Sequence, residues 1–212
     1  MPVEDPLRSL AEVHSPDPRR QFIVGTLADE HAALSTICLH DGVPEPVAQL
    51  FETAKNVSLY SWFVYRFHPV SESVGFGALE LALNLRKTGL LLLPDDFRSP
   101  GLSKLLREAV ENGWIRDQEF PSRPAYAQHA AHLAAIAKII EAGTPSVSLQ
   151  DVIPGDMDQG LEAISLTKHI LELWPKVRNT LAHGSPRLTP NSRRTLRLVA
   201  ESINQLFEQK KT

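Results

Sequence analysis

Hydrophobic positions recur along most of the chain at intervals of three and four residues, the period of a helix with one buried face. After the turn cluster HDGVPEP (40–46), Val47, Leu50, Phe51, Ala54 and Val57 keep that spacing and predict a helix starting near Glu45. Tyr60 to Lys87 predicts a longer, buried helix, with Phe63, Val64, Phe67, Val70, Val74, Leu79, Leu81, Leu83 and Leu85 as its apolar residues, a bend at Pro69 and a stop at Gly89. The connector LLLPDDFRSPG then offers Ser99 as N-cap and Pro100 as first residue of a short helix, GLSKLLREAVENG, that Asn112-Gly113 ends.

EFPSRP breaks the pattern again before AYAQHAAHLAAIAKIIEAG, a run of strong helix formers ending at Gly143. TPSVSLQDVIPG reads as a loop. Asp156 or Asp158 opens the next predicted helix, with Leu161, Ile164, Ile170, Leu171, Trp174, Val177 and Leu181 as its apolar side, a kink at Pro175 and an end at Gly184. Thr189-Pro190 caps a last helix, in which Leu196, Val199, Ala200, Ile203, Leu206 and Phe207 form one stripe. Pro2, Pro6, Pro16 and Pro18 break the opening, and Arg19 to Leu39 carries a looser helical pattern. No segment alternates as a strand would. The expectation is an all-α protein: an arm and helix over residues 1–44, then one antiparallel helical bundle with accessory helices over 45–212.

Composition adds constraints. At 212 residues, 42% hydrophobic and 22% charged, the chain has ordinary globular make-up. Its one cysteine, Cys38, excludes an internal disulfide framework, and no Cys/His spacing resembles a zinc site. The opening MPVEDPLRSL is acidic where a secretory signal is basic and then apolar, so a cytoplasmic protein with no membrane span is expected. Net charge is only −3, but from Lys168 to Thr212 nine Lys or Arg face three Glu, so the C-terminal segment is basic and the remainder acidic. That contrast suits a polyanion-binding surface as well as a solvated helix face.

The basic segment contains RNTLAHG (178–184). Arginine presents a planar fork of donors matched to phosphate and keeps its charge, whereas histidine exchanges a proton near neutrality. RNA cleavage without metal needs both: a group to move the 2′-hydroxyl or leaving-group proton, and positive charge where oxyanion charge develops. Arg178 and His183 supply that pair, and Asn179 is placed to orient either one. A helix C-terminus alone also accounts for Arg178, His183 and Gly184, since cations favour the negative end of the dipole and glycine the left-handed cap.

PKVRNTLAHGSPRL, followed by a proline-started amphipathic helix, resembles the HEPN-domain superfamily and its Rx4-6H motif, in particular bacterial proteins of the RNxLAHG kind. A weaker similarity covers LYSWFVYRFHPVSESVGFGALELALNLRKTG. The resemblance implies an antiparallel helical bundle that dimerises, with Arg178, Asn179 and His183 of each copy meeting in a cleft to form one metal-independent endoribonuclease site. It implies no cofactor, an RNA substrate, a homodimer, and an antitoxin or defence partner. HEPN toxins paired with a nucleotidyltransferase carry a tyrosine two residues after the histidine; Ser185 stands there in this chain, so control through that tyrosine is not expected.

Arg187, Arg193, Arg194 and Arg197 are candidates for extending the RNA-binding surface, with a solvated face as the alternative. His129 and His132 have the spacing of a metal-ligand pair but no third ligand nearby in sequence. Glu80 and Asn84 lie one turn apart within ALELALNLRK; the simpler expectation is a solvent-facing polar stripe, the other a buried carboxylate paired with Arg86, Lys87 or Arg178. Trp62, Trp114 and Trp174 read as core or interface residues, and Asp95-Asp96 as a turn. Two other functional classes stay open: a non-catalytic HEPN-like dimeric adaptor, and a DNA-binding regulator using the GLSKLLREAVENG helix, which lacks a basic face.

Overall fold

A computed structural model describes residues 5–22, 24–141, 164–182, 188 and 190–208. Among these there are seven α-helices, two short 3₁₀ turns and no strand: α1 Leu27–Ser35, α2 Glu45–Tyr60, α3 Phe67–Thr88, α4 Leu102–Glu111, α5 Arg123–Glu141, α6 Leu166–Ala182 and α7 Ser192–Phe207. The chain divides into two compact units, one of residues 1–99 with 177–212 and the other of residues 100–176.

Local chemistry accounts for most boundaries. The Arg19–Leu39 helix is instead a 3₁₀ turn, Pro18–Phe22, followed by α1, because Thr26 and Asp29 form a capping box that starts the helix afresh. The Thr26 hydroxyl accepts from the Asp29 N–H at 3.2 Å and the Asp29 carboxylate from the Thr26 N–H at 2.8 Å. The Tyr60–Lys87 helix is interrupted too: α2 runs on to Tyr60, a turn follows, and α3 begins at Phe67. Pro69 therefore sits in the first turn of α3, where its missing N–H costs no bond, rather than bending a longer helix.

Gly89 ends α3 as expected, with φ 69° and its N–H on the Leu85 carbonyl at 2.9 Å. Replacing it with alanine forces a side chain into the left-handed region, and the expected loss of about 1 kcal/mol is measurable by urea denaturation. Two predicted caps are reassigned. Ser99 does not cap α4, whose N-cap is Gly101, because its hydroxyl is engaged elsewhere. The last helix starts at Ser192 after Asn191, two residues beyond Pro190, so that Ser192 can enter the interior.

In the first unit α2 and α3 pack side by side and α7 lies against both. Val47, Phe51 and Ala54 from α2, Phe76, Leu79 and Leu83 from α3, and Leu196, Val199, Ile203 and Leu206 from α7 are all buried. A Cβ on Gly75 would stand 2.7 Å from Leu196 Cδ2, so the absence of a side chain there lets α3 and α7 approach closely. At the far end of α7, the Asn204 amide accepts from the His40 N–H at 3.0 Å and donates to the Cys38 carbonyl at 3.0 Å, pinning the α1–α2 connection.

The arm before α1 is tied down by charge. Asp17, 4% exposed, accepts from Arg19 Nε at 2.8 Å, from the Arg19 N–H and from the Tyr65 N–H, both at 3.0 Å. Arg19 also binds Asp5, which in turn binds Arg66 at 2.7 Å, and Arg20 stacks over the Trp62 ring at 4.1 Å. Burial pushes the Asp17 carboxyl up, but its bonds from Arg19 and the Tyr65 N–H outweigh that and hold it at about 2.

The second unit contains α4, α5 and most of α6, with Leu102, Leu105, Leu106, Ile115, Phe120, Ala127, Leu166, Ile170 and Trp174 buried. The predicted helix start at Asp156 or Asp158 lies outside the described residues; Ile164 and Ser165 are not helical, and α6 opens at Leu166. Ser165 is its cap, accepting from the Lys168 N–H at 3.1 Å, while Asp117 accepts from the Thr167 N–H at 3.0 Å. Pro175 lies inside α6 as predicted. Among the described residues no helix is long and apolar enough to cross a membrane.

Candidate functional site

Arg178 lies on α6 four residues before its last residue, Ala182, and its side chain meets Glu80 of α3 rather than open solvent alone. Its Nη2 lies 3.4 Å from Glu80 Oε2, with the arginine side chain 42% exposed and the glutamate 16%. The other Glu80 oxygen accepts from the Ser99 hydroxyl at 2.7 Å. Asn84, one turn further along α3 and buried, donates to Ser99 Oγ at 3.2 Å and to the Glu80 carbonyl at 2.9 Å. Glu80 and Asn84 are thus not a solvent-facing polar stripe. A carboxylate inside an apolar stretch is costly unless a cation and hydrogen-bond donors satisfy it, and Arg178 with Ser99 does so.

Nη2 of the Arg178 guanidinium rests on Glu80, and the arginine side chain is partly exposed. A group held in this way is oriented before any anion arrives. Asn179 is exposed on the same turn. His183, Gly184, Ser185 and Arg187 lie outside the described residues.

The other basic candidates belong to α7. Arg193, 48% exposed, pairs with Glu30 at 3.1 Å, which also lies 3.9 Å from Arg20. Arg194 and Arg197 are exposed. Arg178 is therefore anchored to α3 and Arg193 to α1 through separate carboxylates. His129 and His132, on α5, border an open groove with Ala125 and Gln128, and no group of three or more metal-ligating side chains occurs among the described residues.

A second polar cluster, buried between α2, α3 and α7, was not foreseen from the sequence. His68 Nδ1 is 2.7 Å from Ser192 Oγ, which is 2.7 Å from Ser58 Oγ, and the ring of Tyr65 meets His68 edge-on. One turn along α3, the Glu72 carboxyl accepts from the Thr195 hydroxyl at 2.7 Å. Burial, assisted by the nearby charge of Arg20 and opposed by Asp17, lowers His68 to about 4. Burial likewise pushes Glu72 up, against the pull of its Thr195 hydrogen bond. Near neutral pH His68 is therefore uncharged. With Ser58 and Ser192 fully buried, the cluster positions α7 against α3 and offers no access to a substrate. A signal existed in the sequence: His68 and Glu72 precede Gly75 and Leu79 at helical spacing, so they extend the buried face of α3 backwards.

No family model matches the chain, and no curated protein or solved structure matches it.

Proposed function

We propose that this chain is a HEPN-like endoribonuclease that cleaves RNA without a metal ion at a site completed by a second copy. The observation that supports this reading is Arg178, held by Glu80 with its side chain still partly exposed, five residues before His183. In the proposed reaction the 2′-hydroxyl oxygen attacks the adjacent phosphorus. Its proton passes to one His183, the P–O5′ bond breaks, and the 5′ oxygen leaves with a proton from the other copy's equivalent histidine. The products are a 2′,3′-cyclic phosphate and a 5′-hydroxyl. Arg178 carries the developing negative charge, Asn179 orients the pair, and Glu80 acts as a positioning residue by holding the guanidinium through its charge and its bond from Ser99. Arg187, Arg193, Arg194 and Arg197 extend the surface along the RNA backbone, and in this reading an antitoxin or defence protein is the natural partner.

The same ion pair also favours a second reading. Glu80 neutralises Arg178 as well as orienting it, which suits a non-catalytic, dimeric interaction module in which the motif serves only structure.

Incubating purified full-length protein with single-stranded and structured RNA in EDTA separates the two. Cleavage is expected to persist in chelator and to leave cyclic phosphate ends. Intact RNA at high protein concentration, or cleavage that EDTA abolishes, would overturn the nuclease reading.

A further inference from the structure

Arg20, in the 3₁₀ turn Pro18–Phe22, carries a guanidinium that folding takes out of water without a full set of partners. Its side chain is only 8% exposed. One face stacks over the Trp62 ring at 4.1 Å, which leaves the donors projecting from the edge of the plane. On that edge Nε is buried with no hydrogen-bond partner, and the nearest described carboxylate oxygen, Glu30 Oε2, stands 3.9 Å from Nη2, beyond hydrogen-bond reach. The charge of Asp17 also reaches Arg20, but Arg19 already engages that carboxylate at 2.8 Å. Burial accordingly pulls Arg20 below the ordinary arginine value, and Glu30 only partly restores it.

Arg193 reaches the same atom: its Nη1 is 3.1 Å from Glu30 Oε2. It stands in the first turn of α7, at the positive end of the helix dipole, where Asn191 supplies no side-chain cap. Its side chain is 48% exposed, so a solute can approach along it to the point on which both guanidinium groups converge. Two arginines thus share one carboxylate oxygen, and that carboxylate is itself 14% exposed. Partly buried cations matched by fewer anions favour any oxyanion that supplies the missing charge and acceptors.

We propose that Arg20 and Arg193 form a binding site for a phosphate dianion, free or as a monoester, whose oxygens take the place that Glu30 Oε2 now fills. A tetrahedral phosphate has a separate oxygen for each guanidinium and further acceptors for the orphaned Nε, where Glu30 gives both arginines the same atom. Once Glu30 is displaced two positive charges face the ligand, and a dianion balances them. A phosphodiester, with one charge, leaves one cation uncompensated. Glu30 is then the built-in competitor that fills the site until a more highly charged group arrives. None of Arg178, Asn179 and His183 belongs to this site, so it does not rest on the nuclease reading.

Isothermal titration of the full chain with inorganic phosphate, at about pH 8 where the second phosphate proton is lost, tests it. The wild type is expected to bind one phosphate with a dissociation constant below about 1 mM. Methyl phosphate is expected to bind comparably if the natural ligand is a monoester and at least about tenfold more weakly if it is free phosphate, while dimethyl phosphate, a monoanion, binds more weakly than inorganic phosphate in either case. Glu30→Gln keeps an oxygen for Arg193 but loses the competing charge, and is expected to tighten phosphate binding about tenfold. Arg20→Gln and, at an exposed position, Arg193→Gln are each expected to weaken it at least about tenfold, and Arg197→Gln, an exposed arginine on the same helix, to leave it unchanged. Circular dichroism shows which variants fold, and Arg193→Gln carries the test if Arg20→Gln does not. The proposal is overturned by an absence of binding to the wild type, by a Glu30→Gln variant that binds no tighter, by dimethyl phosphate binding as tightly as phosphate, or by Arg197→Gln weakening binding as much as Arg193→Gln.

Discussion

Arg178→Ala is expected to slow RNA cleavage at least a hundredfold, roughly the effect of removing one preorganised donor from developing oxyanion charge. Arg178→Lys is expected to recover little of it. An ammonium group can still sit beside Glu80, but it lacks the planar fork that binds a carboxylate with one edge and a phosphate with another. Glu80→Gln probes positioning separately. Glutamine keeps an oxygen for the Ser99 hydroxyl and loses the charge that holds the guanidinium. Its kcat is expected to fall about tenfold, while KM stays level or falls because a negative charge beside the phosphate has gone. Equal cleavage by wild type and Arg178→Ala would show that the arginine is structural. An unchanged kcat in Glu80→Gln would remove the positioning role and leave Arg178 in place.

The fold class was legible because helical periodicity is a local property and this chain carries it strongly: the stripe on α7 and the one on α2 could be placed from spacing alone. Boundaries that depend on long-range partners were not. Ser99 has the chemistry of an N-cap, but it bonds to Glu80, nineteen residues earlier, and Ser192 starts α7 where His68 and Ser58 can receive it. The break between α2 and α3 was hidden because Phe63, Val64 and Phe67 continue the helical hydrophobic rhythm through the turn, leaving Pro69 as the only local mark. The pairing of Glu80 with Arg178 spans 98 positions and cannot be chosen over Arg86 or Lys87 without knowing where the fold of the first unit places Arg178. Arg193, grouped with Arg187, Arg194 and Arg197 by charge alone, is already paired with a carboxylate on α1.

That dependence on distant partners also gives the first unit a characteristic acid sensitivity. Lowering the pH from 7 to 4.5 is expected to destabilise the protein through His68. Its ordinary value is 6.5 and its folded value about 4, so the unfolded chain takes up the proton first. The contribution of neutral His68 is complete above about pH 6.5 and is lost as pH falls toward 4, on the order of 3 kcal/mol over the whole window. Glu72 opposes it. Its folded value is raised, so its protonated form favours folding in acid and that contribution is lost as pH rises above its ordinary 4.5. Asp17 enters only later, because a carboxylate held at about 2 gives up its stabilisation between 3.8 and 2. His68→Asn isolates the histidine: asparagine can keep a hydrogen bond to Ser192 without titrating, and Glu72 and Asp17 act equally in both proteins. Urea denaturation of the pair at pH 7, 5.5 and 4.5 should show the wild type's advantage shrinking by about 2 kcal/mol or more across that range. A difference that stays constant with pH would mean that His68 accepts its proton as readily folded as unfolded, and the buried seam between α3 and α7 would then have to admit a charge.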